Sequence, residues 1–131
     1  MTPTPRRPAY PSFSAHGKRD NDTAVVTLNG EFDLAAVASA TAALRDAFTA
    51  PPPVLVLVDL SGVTFMSSSG LSVLLTTVQL AADLGIAARL FAATESAART
   101  TLELTGLDAV LPLYATRADA FEDVNRLGKN G

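Results

Sequence analysis

Three consecutive serines followed by glycine, Ser67-Ser68-Ser69-Gly70, are the residues of this 131-residue chain best suited to chemistry. They stand just ahead of an apolar-periodic stretch that reads as a helix, so they fall at its N-terminus. A serine there can accept a hydrogen bond from a free backbone N–H and cap the helix, and one of the three is expected to do so. One cap leaves two hydroxyls without that job. The other chemistry open to them is acceptance of a phosphoryl group. A phosphate at that place would meet free N–H groups and the positive end of the helix dipole, and would add about −1.5 to −2 charges at neutral pH. Two further segments carry chemistry-bearing side chains: Gly30-Glu31-Phe32-Asp33, and Asp59 at the end of an apolar run.

Other chemistries are excluded by what the chain lacks. There is no cysteine, hence no disulfide scaffold, no thiolate metal site and no thiol catalysis. The one histidine, His16, lies near the N-terminus, so neither a metal site nor a histidine-based triad is expected. A serine hydrolase would need the Gly-x-Ser-x-Gly elbow, which does not occur around Ser68. A phosphate-binding P-loop is likewise missing, and Gly85 and Gly106 read as helix stops. Asp59 ends a buried strand as the phosphoacceptor of a response-regulator receiver does. The only lysines are Lys18 and Lys129, one near each end of the chain, so that chemistry lacks its cation. Asp59 is expected instead to cap the strand end or to bond loop N–H groups. No cofactor is implied, and the chain is not expected to be an enzyme.

The elements that must position these residues follow from patterning. Residues 1–11 hold four of the eight prolines and read as a tail. A short first strand begins near Ser12. Asp20-Asn21-Asp22 is a turn cluster, and Thr23 to Leu28 reads as a β-branched strand, so the first two strands form a hairpin. Asp33 can cap a helix from about Leu34 to Phe48, with Leu34, Val37, Leu44 and Phe48 on its apolar face. Pro51-Pro52-Pro53 stops it. Val54 to Asp59 is a central strand buried on both faces, and Leu60 to Met66 a connection.

A helix from about Ser69 to Leu84 follows, then a strand over Ile86–Phe91. A helix over Glu95–Thr105 places Glu95, Arg99 and Glu103 on one exposed face. A short strand at Val110–Leu113 and a last helix over Thr116–Leu127 complete the domain. Strands alternating with helices imply an α/β fold: a mixed, mainly parallel sheet with about four helices, over residues 12–127, with a C-terminal tail at 128–131. In such sheets sites form at the carboxyl ends of the strands, where the segments around Glu31–Asp33 and Ser67–Gly70 should meet.

Charge distribution narrows the partners. All thirteen acids lie between Asp20 and Asp123, where four basic residues leave that stretch nine charges negative. Such a body repels nucleic acid. The first eleven residues are not apolar and the longest apolar run, Val54 to Val58, is far too short to span a bilayer, so a soluble, cytoplasmic protein without membrane insertion is expected.

The run Asp59-Leu60-Ser61-Gly62-Val63-Thr64-Phe65-Met66-Ser67-Ser68-Ser69-Gly70-Leu71 resembles the signature of STAS domains of bacterial anti-sigma factor antagonists. Gly30-Glu31-Phe32-Asp33 is similar to the glycine–aspartate turn of that family. The resemblance implies an anti-sigma factor antagonist. Its partner would be an anti-sigma factor that is also a serine kinase, bound through Glu31, Asp33, Ser67, Ser68, Ser69 and Gly70 and released on phosphorylation. By position the acceptor is Ser68, with Ser67 and Ser69 as the alternatives. Ser67 stands where phosphorylated members of the family carry aspartate, which keeps a second reading open: a non-phosphorylated STAS scaffold or accessory subunit, tied to ligand binding or transport.

Overall fold

The aliphatic runs of the sequence become strands and the spaced ones become helices, in a computed structural model that describes residues 13–49 and 51–122. Strand β1 (Ser14–Asp20) turns through Asn21-Asp22 into β2 (Thr23–Phe32), and the two pair antiparallel from Asp20↔Thr23 to Ser14↔Asn29. Asn21 takes the left-handed φ of 55° that this tight reversal needs, a conformation asparagine tolerates. Beyond the hairpin the chain alternates: α1 (Val37–Ala47), β3 (Leu55–Met66), α2 (Ser68–Leu84), β4 (Ala87–Phe91), α3 (Ala97–Leu104), β5 (Leu113–Tyr114) and α4 (Arg117–Phe121). The sheet order is β1-β2-β3-β4-β5, with every pair after the first parallel. This is the mixed, mainly parallel α/β sheet that the alternation implies, with four α-helices among the described residues.

The core is aliphatic. Six consecutive residues of β3, Leu55 to Leu60, are buried, which requires cover on both faces of the central strand. Val26, Leu28, Val56, Val58, Leu74 and Leu102 belong to one contiguous cluster, and Phe32 closes it at the carboxyl end of β2.

Several boundaries differ from the sequence expectation, each for a physical reason. The supposed connection over Leu60–Met66 is strand: β3 runs to Met66, paired with β2 throughout. Its hydrophobic alternation is broken by two bulges. Thr27 and Asn29 face Asp59 and Gly62, and Gly30 and Glu31 face Val63 and Phe65, so β3 carries an extra residue at each step. An extra residue flips the faces that follow, which disguises a strand as a loop. The α1 region opens with a 3-10 turn over Leu34–Ala36, and Leu34 is 75% exposed, not core-facing. β5 starts at Leu113 because Leu107 folds Val110 and Leu111 back onto its carbonyl, leaving Val110 exposed. Helix α3 begins at Ala97 behind Ser96, whose hydroxyl accepts from Arg99 N–H at 3.1 Å. Arg99 does not pair along the helix face; its Nε donates to Ala92 O at 3.1 Å. Thr116 caps α4 as expected, accepting from Asp119 N–H. Val124 and Leu127, and both tails, lie outside the described residues.

The bulge beside Asp59 explains that residue. Its Oδ1 accepts from Ser61 N–H at 2.9 Å and Ser61 Oγ at 2.5 Å, and its Oδ2 accepts from Arg117 at 2.6 Å. Asp59 is 5% exposed, so its carboxylate is fully committed, as expected of a residue that bonds loop N–H groups. The pair ties α4 to the central strand. Breaking an ion pair with one buried member strands a charge, a cost reduced here because the Arg117 side chain is 49% exposed. Arg117→Ala should lower unfolding stability by about 1–2 kcal/mol in urea titrations. Equal midpoints for wild type and variant would show that the pair contributes nothing.

Candidate functional site

The candidate site is built where β2 and β3 end together. Phe32 and Met66 are the last paired residues of the two strands. One step further, Ser67 N–H donates to Phe32 O at 3.0 Å, and Ser67 Oγ donates to the same carbonyl at 3.4 Å. These bonds extend the ladder by one residue and hold Ser67 extended, at ψ 176°. The helix therefore starts at Ser68, one residue earlier than its periodicity predicts, with Ser67 in the N-cap position.

The expected serine cap is not made. Among the described residues no side chain caps α2, and the Ser67 hydroxyl faces Phe32 O instead of the helix. The first turn closes through the main chain, Leu71 N–H to Ser67 O at 3.0 Å. Ahead of Leu71, the N–H groups of Ser68, Ser69 and Gly70 belong to the first turn, which has no intrahelical acceptors for them. Asp33 is also an N-cap without a side-chain cap bond; Ala36 N–H bonds Asp33 O and closes the 3-10 turn by itself. The Asp33 carboxylate is thus not spent on capping.

The serines are not equivalent. Ser68 is exposed, while Ser67 and Ser69 are half-buried. On the facing segment Phe32 is buried and points inward, so its neighbours Glu31, exposed, and Asp33, half-buried, turn the other way. Glu31 stands opposite Phe65 in the register, and Phe65 is 51% exposed. The structure therefore brings together every sequence-selected residue, Glu31, Asp33, Ser67, Ser68, Ser69 and Gly70, at one end of the sheet. Sequence reasoning missed the two apolar side chains at its rim, Leu34 and Phe65. Leu34 fitted the helical period, and Phe65 lay in a segment read as a connection.

Gly70 fixes the distance between helix and sheet. A Cβ at this position would lie 2.6 Å from Phe32 O, 2.9 Å from Phe32 Cγ and 3.1 Å from Met66 Cγ. The nearest obstacle is backbone and cannot step aside. Among the described residues no group of histidines and carboxylates could hold a metal ion, and no helix is long and apolar enough to cross a membrane.

Comparison with known proteins places the fold. The sequence matches the STAS domain over residues 15–120. It is 34% identical over 107 residues to the anti-sigma-F factor antagonist RsfB of Mycobacterium tuberculosis, covering 79% of this chain and 83% of RsfB. The crystal structure of an anti-sigma factor antagonist from Mycobacterium paratuberculosis superposes with a TM-score of 0.70 at 28% identity, covering 87% of this chain and 95% of that one. The phosphorylated form of the Bacillus cell fate determinant SpoIIAA shares the fold, with a TM-score of 0.62 at 22% identity over 86% of this chain and 99% of that one.

The close approach at Gly70 has a measurable consequence. Gly70→Val should destabilise the fold by about 3 kcal/mol, because overpacking is resisted by main chain. Gly85→Ala should cost only about 1 kcal/mol: Gly85 caps α2 at φ 70° with open space around it, so its substitution strains the backbone alone. Denaturant midpoints rank the two, and a Gly70→Val protein as stable as Gly85→Ala would remove the spacer role.

Proposed function

The chain belongs to the STAS domain family, and from that premise we propose that it is an anti-sigma factor antagonist whose binding is switched at Ser68. The domain spans residues 12–127 and acts in the cytoplasm. It binds an anti-sigma factor that is also a serine kinase, through Glu31, Asp33 and Ser67 to Ser69; Gly70, expected in the contact, is buried against Phe32 and serves it only by seating the helix start. The unphosphorylated protein holds this partner and frees the sigma factor; phosphorylation of Ser68 ends the complex. The protein regulates transcription by partner switching and catalyses nothing itself.

The observation that carries this reading is the combination at Ser68. It is the exposed member of the serine run, and it opens a 17-residue helix that no described side chain caps. An exposed hydroxyl can enter a kinase active site. A phosphate formed there meets uncapped N–H groups of the first turn, which favours the phosphorylated state within the protein.

In a complex the balance reverses. An interface over Ser68 would desolvate two negative charges beside the segment carrying Glu31 and Asp33. Like charges brought together at an interface cost several kcal/mol. A penalty of about 3–4 kcal/mol weakens binding several-hundredfold, since each 1.4 kcal/mol is about tenfold. One phosphate is sufficient to release the partner.

Ser67 favours a second reading, a scaffold of the same fold that is never phosphorylated. It replaces the family's aspartate with a half-buried hydroxyl turned toward Phe32 O, so the residue next to the acceptor carries no charge. The two readings separate on binding. Ser68→Ala should bind the cognate anti-sigma factor as wild type does in the presence of ATP, or more durably. Ser68→Glu should bind at least about tenfold more weakly, by calorimetry or surface plasmon resonance. Equal affinity of both variants would sink the charge switch and leave the scaffold.

A further inference from the structure

A groove of about 440 Å³ runs between α1 and α2, with Leu34, Val37, Leu44 and Phe48 along one wall and Val73 and Leu80 along the other. This size lies within the range of small-molecule sites, which are mostly apolar with a few placed polar groups. From Ser69 at one end to Leu80 at the other, the α2 wall is about 16 Å long at roughly 1.5 Å per residue. Apart from Leu34 in the 3-10 turn and Phe48 at the C-cap of α1, the walls are regular helix packed on the core, so the groove is preformed.

Its charged group is Arg45, beside the hydroxyls of Thr41, Ser69, Ser72, Thr76 and Thr77. The other described arginines are committed within the fold: Arg19 donates to Thr49 O and Pro51 O, Arg89 to Ala120 O and Glu122 O, Arg99 to Ala92 O, and Arg117 to Asp59. Arg45 makes no ion pair or hydrogen bond with any described residue and lies on the groove. The acidic body disfavours an anion over most of the surface, so the uncommitted guanidinium marks the place where one can be held.

From these observations we infer that the α1–α2 groove binds an aliphatic anion: a medium-length acyl chain lies along the apolar walls and its carboxylate or phosphate head pairs with Arg45. Apolar burial supplies most of the affinity, and the charge-assisted bonds to Arg45 supply the choice of head group. The site is distinct from Ser68 but adjoins it, since Ser69 lines the groove. This inference goes beyond the partner-binding reading and does not depend on it.

Calorimetry and amide NMR with sodium dodecanoate below its micelle concentration test the site in the full chain. Dodecanoate should bind saturably at one molecule per chain, moving the amides of α1 and α2. Arg45→Ala should weaken it about tenfold, the value of a lost charge-assisted bond. Thr76→Trp, a change at an exposed wall position, should block it while circular dichroism stays unchanged. Dodecyltrimethylammonium, with the same chain and opposite charge, should bind more weakly than dodecanoate. Three results would overturn the inference: no saturable dodecanoate binding, equal binding by wild type and Arg45→Ala, or binding that prefers the cation. Uptake of the chain by anionic phospholipid vesicles while free dodecanoate leaves α1 and α2 unmoved would overturn it as well, in favour of a membrane contact.

Discussion

The contact between Phe32 and the start of α2 is the constraint on which the site depends. Phe32 O takes the Ser67 N–H that would otherwise be an orphan at the helix terminus, and this bond prolongs the β2–β3 ladder into the N-cap. Gly70, one turn later, lets the helix settle on the Phe32 ring and carbonyl; even a methyl group would collide with main chain. Phe13 stacks on Phe32 from another side, with ring centroids 5.2 Å apart. Between them these contacts leave little freedom in where α2 starts or how it rotates. The exposure of Ser68, and the partial burial of Ser67 and Ser69 on either side, follow from that fixed rotation.

The long central strand carries this junction away from the rest of the sheet. β3 pairs with β4 only as far as Asp59, yet it continues beside β2 for seven further residues. The two bulges allow the continuation and set its twist. Asp59 stabilises the first of them by bonding Ser61 N–H, and Arg117 ties that carboxylate to α4. The ion pair is therefore structural: it holds the base of the β2–β3 extension from which the serine run is presented.

Much of this was legible in the sequence, and the parts that were not have identifiable causes. The run Val54–Val58 marked the buried central strand because a strand covered on both faces has no polar side. The serine run, Gly70 and the segment Glu31–Asp33 were legible as one site because element order alone brings those turns to one end of a parallel sheet. Two signals misled. Bulges destroy the period of two, so Leu60 to Met66 read as a connection and Phe65 was missed. A serine before a helix suggests a side-chain cap, but Phe32 O offered the Ser67 hydroxyl a tertiary acceptor that no local pattern encodes. Leu34 falls in the 3-10 turn that precedes α1, so α-helical spacing did not foretell its exposure.

The central claim is that Ser68 is a phosphoacceptor presented by a helix start that Phe32 and Gly70 fix in place. The most direct measurement is incubation of the protein with candidate cognate anti-sigma factor kinases and ATP, followed by intact mass and mapping of the modified residue. The account predicts a single added phosphate per chain, located on Ser68 and absent from Ser68→Ala. No phosphate with any cognate kinase, or a phosphate that persists in Ser68→Ala, would contradict it.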